Sequence, residues 1–162
     1  MDNAVKIYEN ILPKKTLDYL LDFVLFNNEH RYGHASNFNS DKFFYFKDFS
    51  DNIYLADSIF QNILDKIKMN LRYNRVYANI QYVNQDGEFH IDAHEMNAYT
   101  CMIMLSKTLQ EGSGCFCTKE QNYAFIQNNL LVFKSNIQHM GAAPKEGREP
   151  RVTFVYKTLL QN

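Results

Sequence analysis

The stretch Phe89-His90-Ile91-Asp92 follows a glycine-containing turn over 84–88. On extended backbone, side chains alternate between faces, so His90 and Asp92 at i and i+2 project from the same face. An imidazole nitrogen and a carboxylate oxygen on one face are two ligands for a divalent transition metal. A second histidine would complete a two-histidine, one-carboxylate triad, which leaves coordination positions open on Fe(II). Two residues could supply it. His94 lies just beyond Asp92, and His139 ends an apolar run further on. The plainer reading of the same residues is a surface histidine, a turn aspartate and a capping histidine with no spatial connection.

Arg151 opens the last apolar run, and Thr153 follows on the same strand face. A guanidinium presents paired donors in a planar fork that fits a carboxylate with two parallel bonds. Thr153 can donate its hydroxyl to the same group. Arg148 competes for this role from the Gly147-Arg148-Glu149-Pro150 loop. A rigid element holds a site better than a loop does, which favours Arg151.

The elements that must position these groups follow from periodicity. Leu17, Leu20, Leu21, Val24 and Leu25 repeat at helical spacing, and Pro13 suits a first turn, so the pattern predicts a helix over 11–27. Residues 28–50 mix polar residues with Phe38, Phe43, Phe44, Phe46 and Phe49; the expectation is a strand within 43–46 and a long loop around it. His30 and His34 stand at i and i+4, but the segment lacks the helix character that would aim them together. A second helix is expected over 51–71, N-capped by Ser50 or Asp51, with Lys66 and Lys68 at its end as the helix dipole prefers. The period then changes from 3.6 to 2. Strands are expected at 76–83, 98–106, 115–119, 123–127, 130–134 and 151–158, with loops at 110–114 and 141–150. Two helices followed by short strands predict a mainly β fold with N-terminal helices, a helix-backed sandwich or open barrel. No internal repeat or low-complexity linker divides the chain.

Bulk properties narrow the function classes. At 162 residues the chain has the length of one domain. Seventeen basic residues against eighteen acidic ones leave no basic footprint for nucleic acid. No apolar run is long enough to span a bilayer, and the N-terminus shows no signal peptide. Cys101, Cys115 and Cys117 are an odd number, which fits reduced thiols in a cytoplasmic protein. The Cys-x-Cys spacing is too short for a usual zinc pair.

The ordered set of His90-x-Asp92, His139 and Arg151-x-Thr153 resembles the Fe(II)/2-oxoglutarate-dependent dioxygenases, closest in layout to the prolyl-4-hydroxylase-like branch. The resemblance covers roughly 76–158, with 1–75 as a helical lead-in. It implies a double-stranded β-helix, or jelly roll, and Fe(II) held by His90, Asp92 and His139. His139 takes precedence over His94 because strands bracket it as they bracket the family's distal histidine. It further implies 2-oxoglutarate as co-substrate, anchored by Arg151 and Thr153, with Tyr82 offering its phenol nearby, and dioxygen as the oxidant. Gly112-Ser113-Gly114-Cys115-Phe116-Cys117 stands at the family's glycine turn. The implied reaction is hydroxylation of a C–H bond, with succinate and carbon dioxide as co-products. The expected substrate is a protein or peptide side chain, with proline as one candidate, ahead of a free amino acid or other small metabolite. Nucleic-acid dealkylation of the AlkB type ranks third, since Arg148 and Arg151 are too close for that family's arginine pair. Two other readings are a non-catalytic binding module whose pocket is filled by Met96 or Tyr99, and a cupin-like oxygenase that does not use 2-oxoglutarate.

Overall fold

The computed structural model describes residues 5–26 and 29–161. Its main sheet has seven strands in the order β1-β8-β5-β10-β4-β3-β2, and a three-stranded sheet, β7-β6-β9, faces it. The large-sheet strands are β1 (Lys6–Tyr8), β2 (Arg31–His34), β3 (Phe44–Asp48), β4 (Leu71–Gln81), β5 (Ala98–Met104), β8 (Leu130–Lys134) and β10 (Arg151–Leu160). The small sheet holds β6 (Phe116–Thr118), β7 (Asn122–Tyr123) and β9 (His139–Gly141). Every pairing is antiparallel. Helices α1 (Lys14–Phe26) and α2 (Ile53–Ile67) contribute buried apolar residues to one core with the large sheet. This is the jelly roll, backed by two helices, that the resemblance implies.

The alternation of the central strands builds two cores from one sheet. Val152, Phe154 and Tyr156 of β10, with Val76, Ala78 and Ile80 of β4, join the helix-side core. Phe154 is fully buried and meets Phe49 edge to face at 4.7 Å. Truncating it to alanine should cost about 3–5 kcal/mol. The opposite parity of the same strands, Arg151, Thr153, Val155 and Lys157 with Arg75, Tyr77, Asn79 and Gln81, lines a cavity of about 260 Å³. An apolar cluster that includes Met102, Phe116 and Phe133 lies on this side.

Several boundaries differ from the periodicity reading. Helix α2 starts after Asn52, so neither Ser50 nor Asp51 is its cap, and Asn52 itself makes no side-chain cap bond. The helix stops at Lys68, whose left-handed backbone (φ 56°) ends it with an N–H bond to the Leu64 carbonyl. Leu71, expected as helical, begins β4 instead. Residues 31–34, expected as loop, pair with β3 as an edge hairpin. The stretch expected as a helical lead-in therefore also supplies β1, β2, β3 and part of β4. Residues 124–127 are not strand. The expected first helix reaches residue 27, which lies outside the described residues. Among the described residues no helix is long and apolar enough to cross a membrane.

Candidate metal centre

His90 and His139 are joined by an isolated antiparallel bridge. Each donates its backbone N–H to the other's carbonyl, at 3.0 and 2.9 Å. Within 90–92 the bridge involves His90 alone; Asp92 lies in a bend, fixed by its N–H bond to the Ser135 carbonyl at 2.8 Å. The expected extended strand through 90–92 is thus a single bridge, yet the side chains still converge. One ligand atom each from His90, Asp92 and His139 lies within 4.8 Å of the others. The Nε2 of His90 is 3.3 Å from one Asp92 oxygen, and that of His139 is 3.5 Å from the other.

Both imidazoles are held in the form a metal needs. His90 Nδ1 meets the Glu88 carbonyl at 2.8 Å, and His139 Nδ1 meets the Ile137 carbonyl at 2.8 Å. A carbonyl only accepts, so each Nδ1 carries a proton, and Nε2, the nitrogen that faces Asp92, is the one left to bind a metal. Phe116 stacks on the His139 ring at 5.2 Å, and Phe133 meets it edge-on at 4.8 Å. Burial, helped by His90 and only partly offset by Asp92, lowers the His139 pKa to about 4. Burial alone would raise the pKa of Asp92. Lys157 first, then His90 and His139, outweigh it and hold the carboxylate far below the usual range. Asp92 also accepts a bond from Thr100 at 2.6 Å.

Deeper in the cavity, Arg151 is only 2% exposed. Its Nε donates to the Gly114 carbonyl at 2.8 Å and its Nη1 to Gln81 Oε1 at 2.7 Å. Burial lowers its pKa to about 10, which leaves it charged at neutral pH. Its Nη2 is buried without a partner, as are Thr153 Oγ1 and Asn79 Oδ1. Thr153 and Asn79 are direct neighbours across the β10–β4 ladder. Buried polar groups are almost always bonded, so three orphans lining one cavity mark the place of a polar ligand. A carboxylate fits the guanidinium and the hydroxyl.

The other sequence candidates lie elsewhere. His94 and Arg148 are exposed. His30 is packed edge-on to Tyr45; His34 lines the cavity but stands outside the ligand cluster. Tyr82 is 42% exposed, beside Tyr45 and off the cavity wall, so the expectation that its phenol faces the co-substrate is corrected. Strand parity is the reason: Tyr77, Asn79 and Gln81 take the inward positions of β4, and Tyr82 lies just past its end. Met96 is 64% exposed and Tyr99 packs on the helix-side core, so neither plugs the cavity. Cys101, Cys115 and Cys117 are free and buried.

No family model matches the sequence, and no curated protein matches it significantly. Solved structures do. A 2OG-Fe(II) oxygenase family oxidoreductase from Burkholderia pseudomallei superposes with a TM-score of 0.74 at 13% identity, over 98% of this chain and 86% of that one. A prolyl hydroxylase from Trichoplax adhaerens, in complex with a hypoxia inducible factor peptide fragment, gives 0.69 at 13% identity, over 97% and 84%. A viral collagen prolyl hydroxylase from Paramecium bursaria Chlorella virus-1 gives 0.63 at 11% identity, over 96% of both chains. The fold is that of the 2-oxoglutarate/Fe(II) oxygenases. One fold hosts many functions, so the case for chemistry rests on the site. In this oxygenase fold, His90, Asp92 and His139 could hold a metal, and Arg151 with Thr153 could hold a carboxylate beside it. Lys157, Tyr77, Asn79, Gln81 and Thr100 were not picked out as site residues from sequence. The available signal was parity, since Lys157 lies on the same face of β10 as Arg151 and Thr153.

Proposed function

We propose that this chain, acting as one domain, is an Fe(II)- and 2-oxoglutarate-dependent oxygenase that hydroxylates a C–H bond. The observation that carries the reading is the unpaired Nη2 of Arg151, buried in the same cavity as the convergent His90, Asp92 and His139. A cupin-like oxygenase that does not use 2-oxoglutarate has no need of that buried donor.

His90, Asp92 and His139 would hold the iron through two neutral imidazoles and one carboxylate, a set that suits Fe(II). Once loaded with 2-oxoglutarate and dioxygen, the centre supplies the oxidant that takes hydrogen from the substrate, with succinate and carbon dioxide as co-products. Everything else falls to the chain. Arg151 and Thr153 orient the far carboxylate of 2-oxoglutarate from a rigid strand, and Asn79 borders it. The carbonyls of Glu88 and Ile137 keep the imidazole tautomers fixed. Met102, Phe116 and Phe133 keep water from the inner wall of the cavity.

For substrate we favour a protein or peptide side chain, with proline as one candidate, on the likeness in layout to prolyl hydroxylases. A small free metabolite is the second reading, favoured by a cavity of only about 260 Å³ that must also admit the co-substrate. The same fold also serves an alpha-ketoglutarate-dependent epimerase, so substrate class is open to experiment. We place the protein in the cytoplasm on its three free, buried thiols.

The test is dioxygen-dependent conversion of 2-oxoglutarate to succinate by the Fe(II)-loaded protein. Slow turnover in the wild type, abolished in His139→Ala and Arg151→Ala, supports the reading. Turnover that is unchanged in Arg151→Ala overturns it.

A further inference from the structure

Arg75 and Lys157 are direct partners across the β4–β10 ladder and share the cavity wall. Like charges placed opposite each other in an antiparallel pair are destabilising unless something neutralises them. Lys157 has a partner in Asp92. Arg75 has no ion-pair partner among the described residues. Its guanidinium lies over the Tyr77 ring, 4.7 Å from the centroid, at an exposed position at the cavity mouth. Asp48 attracts Arg75 across space, yet it takes its hydrogen bonds from Ser50 and stays outside ion-pair distance, as does Glu95 in an adjoining cavity.

The proposed cofactor set sharpens the imbalance. Fe(II) and Arg151 together balance Asp92 and the two carboxylates of 2-oxoglutarate. The cavity wall then carries two positive charges in excess, Lys157 bonded to Asp92 and Arg75 at the mouth with no ion-pair partner among the described residues. His34, on the same wall, feels both cations: burial first, then Arg75 and Lys157, hold it neutral.

We propose that the substrate carries an oxyanion, a carboxylate or a phosphate, which docks on Arg75 at the cavity mouth beside Lys157. The inference rests on the oxygenase reading above and names the substrate chemistry of that site. A guanidinium over an aromatic ring still has N–H groups free for paired bonds to such a group. Lys157 bonds a proposed iron ligand, and Arg75 is one strand away, about 5 Å between backbones.

The experiment uses full-length protein loaded with Zn(II), which does not turn over, and 2-oxoglutarate. Calorimetric titration with methyl phosphate and with N-acetylglycine then probes the mouth. The expected result is saturable binding of one probe, about tenfold or more weaker in Arg75→Gln, as loss of a charge-assisted bond implies, and partly restored in Arg75→Lys. The preferred probe tells carboxylate from phosphate. Failure of both probes to bind, or equal binding in Arg75→Gln, overturns the inference. Uptake of 2-oxoglutarate is recorded in the same series. If the wild type binds 2-oxoglutarate but neither probe, this inference alone fails. If it does not bind 2-oxoglutarate, the oxygenase reading fails and takes this inference with it.

Discussion

The ammonium of Lys157 bonds the Oδ2 of Asp92, the carboxylate that also faces both imidazoles of the candidate metal centre. Burial works against the charge on Lys157, but Tyr77 and Asp92 outweigh it and raise its pKa. A lysine thus provides Asp92 with a cation in the absence of metal. Lys157→Met should destabilise the metal-free protein by about 3–5 kcal/mol, because it strands a buried carboxylate. It should also tighten metal binding, since an incoming dication no longer meets a resident cation. Thermal unfolding with and without Ni(II) checks both. The metal-induced rise in Tm should be larger in the variant than in the wild type.

Gly141 packs flat against the arginine that would hold the co-substrate. A Cβ there would lie 2.9 Å from Arg151 Nη1 and 3.1 Å from both its Cζ and Gln81 Oε1. Gly141→Ala should therefore displace the guanidinium and weaken 2-oxoglutarate binding about tenfold or more, since such a charge-assisted contact is worth that much. Metal affinity should change little. Titrating 2-oxoglutarate into the Zn(II)-loaded variant measures the first, and direct Zn(II) titration the second.

Thr153 is fully buried with its hydroxyl unbonded. In a purely structural role such a group is a cost. Thr153→Val keeps the shape and removes the orphan, so the ligand-free protein should gain about 1 kcal/mol. If the hydroxyl serves 2-oxoglutarate, the same variant should bind it several-fold more weakly. Urea unfolding and calorimetry of one protein sample test these opposite signs together.

Acid should destabilise the metal-free protein through half-buried His34 and buried His139. Burial, then Arg75 and Lys157, lower His34 to about 4, against 6.5 ordinarily. Between those values the unfolded chain binds a proton that the folded one refuses. Stability is therefore full above about pH 6.5 and is lost as pH falls toward 4. His139 adds to the slope with the same sign. His34→Gln should flatten the fall measured by urea unfolding at pH 7.5, 6 and 5. An equally steep fall in the variant would exclude His34 as a source.

How much of this was legible beforehand depended on the length of each signal. Strand β8 has its expected bounds because four apolar residues and a lysine stand between turns. Leu71 looked helical because it sits four residues past Ile67. Both residues feed the same core, and only the left-handed turn at Lys68 separates helix from strand. Strand β1 has three residues and gains its identity from pairing with β8, more than a hundred positions away. Strand β2 carries a register shift and Gly33 at φ +111°, so it shows no clean alternation. In the site, His90 and Asp92 were visible through local spacing. Lys157 looked like an ordinary polar residue on a strand, because the carboxylate it meets lies on a distant loop. Tyr82 differs by one position of parity from Gln81, which lines the cavity.

The proposed function requires one cavity to hold Fe(II) and 2-oxoglutarate together. The most direct test is anaerobic addition of Fe(II), then 2-oxoglutarate, to the metal-free protein, watching for the weak visible charge-transfer band of a keto acid chelated to iron. The expected result is a band in the wild type that is absent in His139→Ala and needs far more 2-oxoglutarate in Arg151→Ala. Tight Fe(II) binding with no band at saturating 2-oxoglutarate would contradict it.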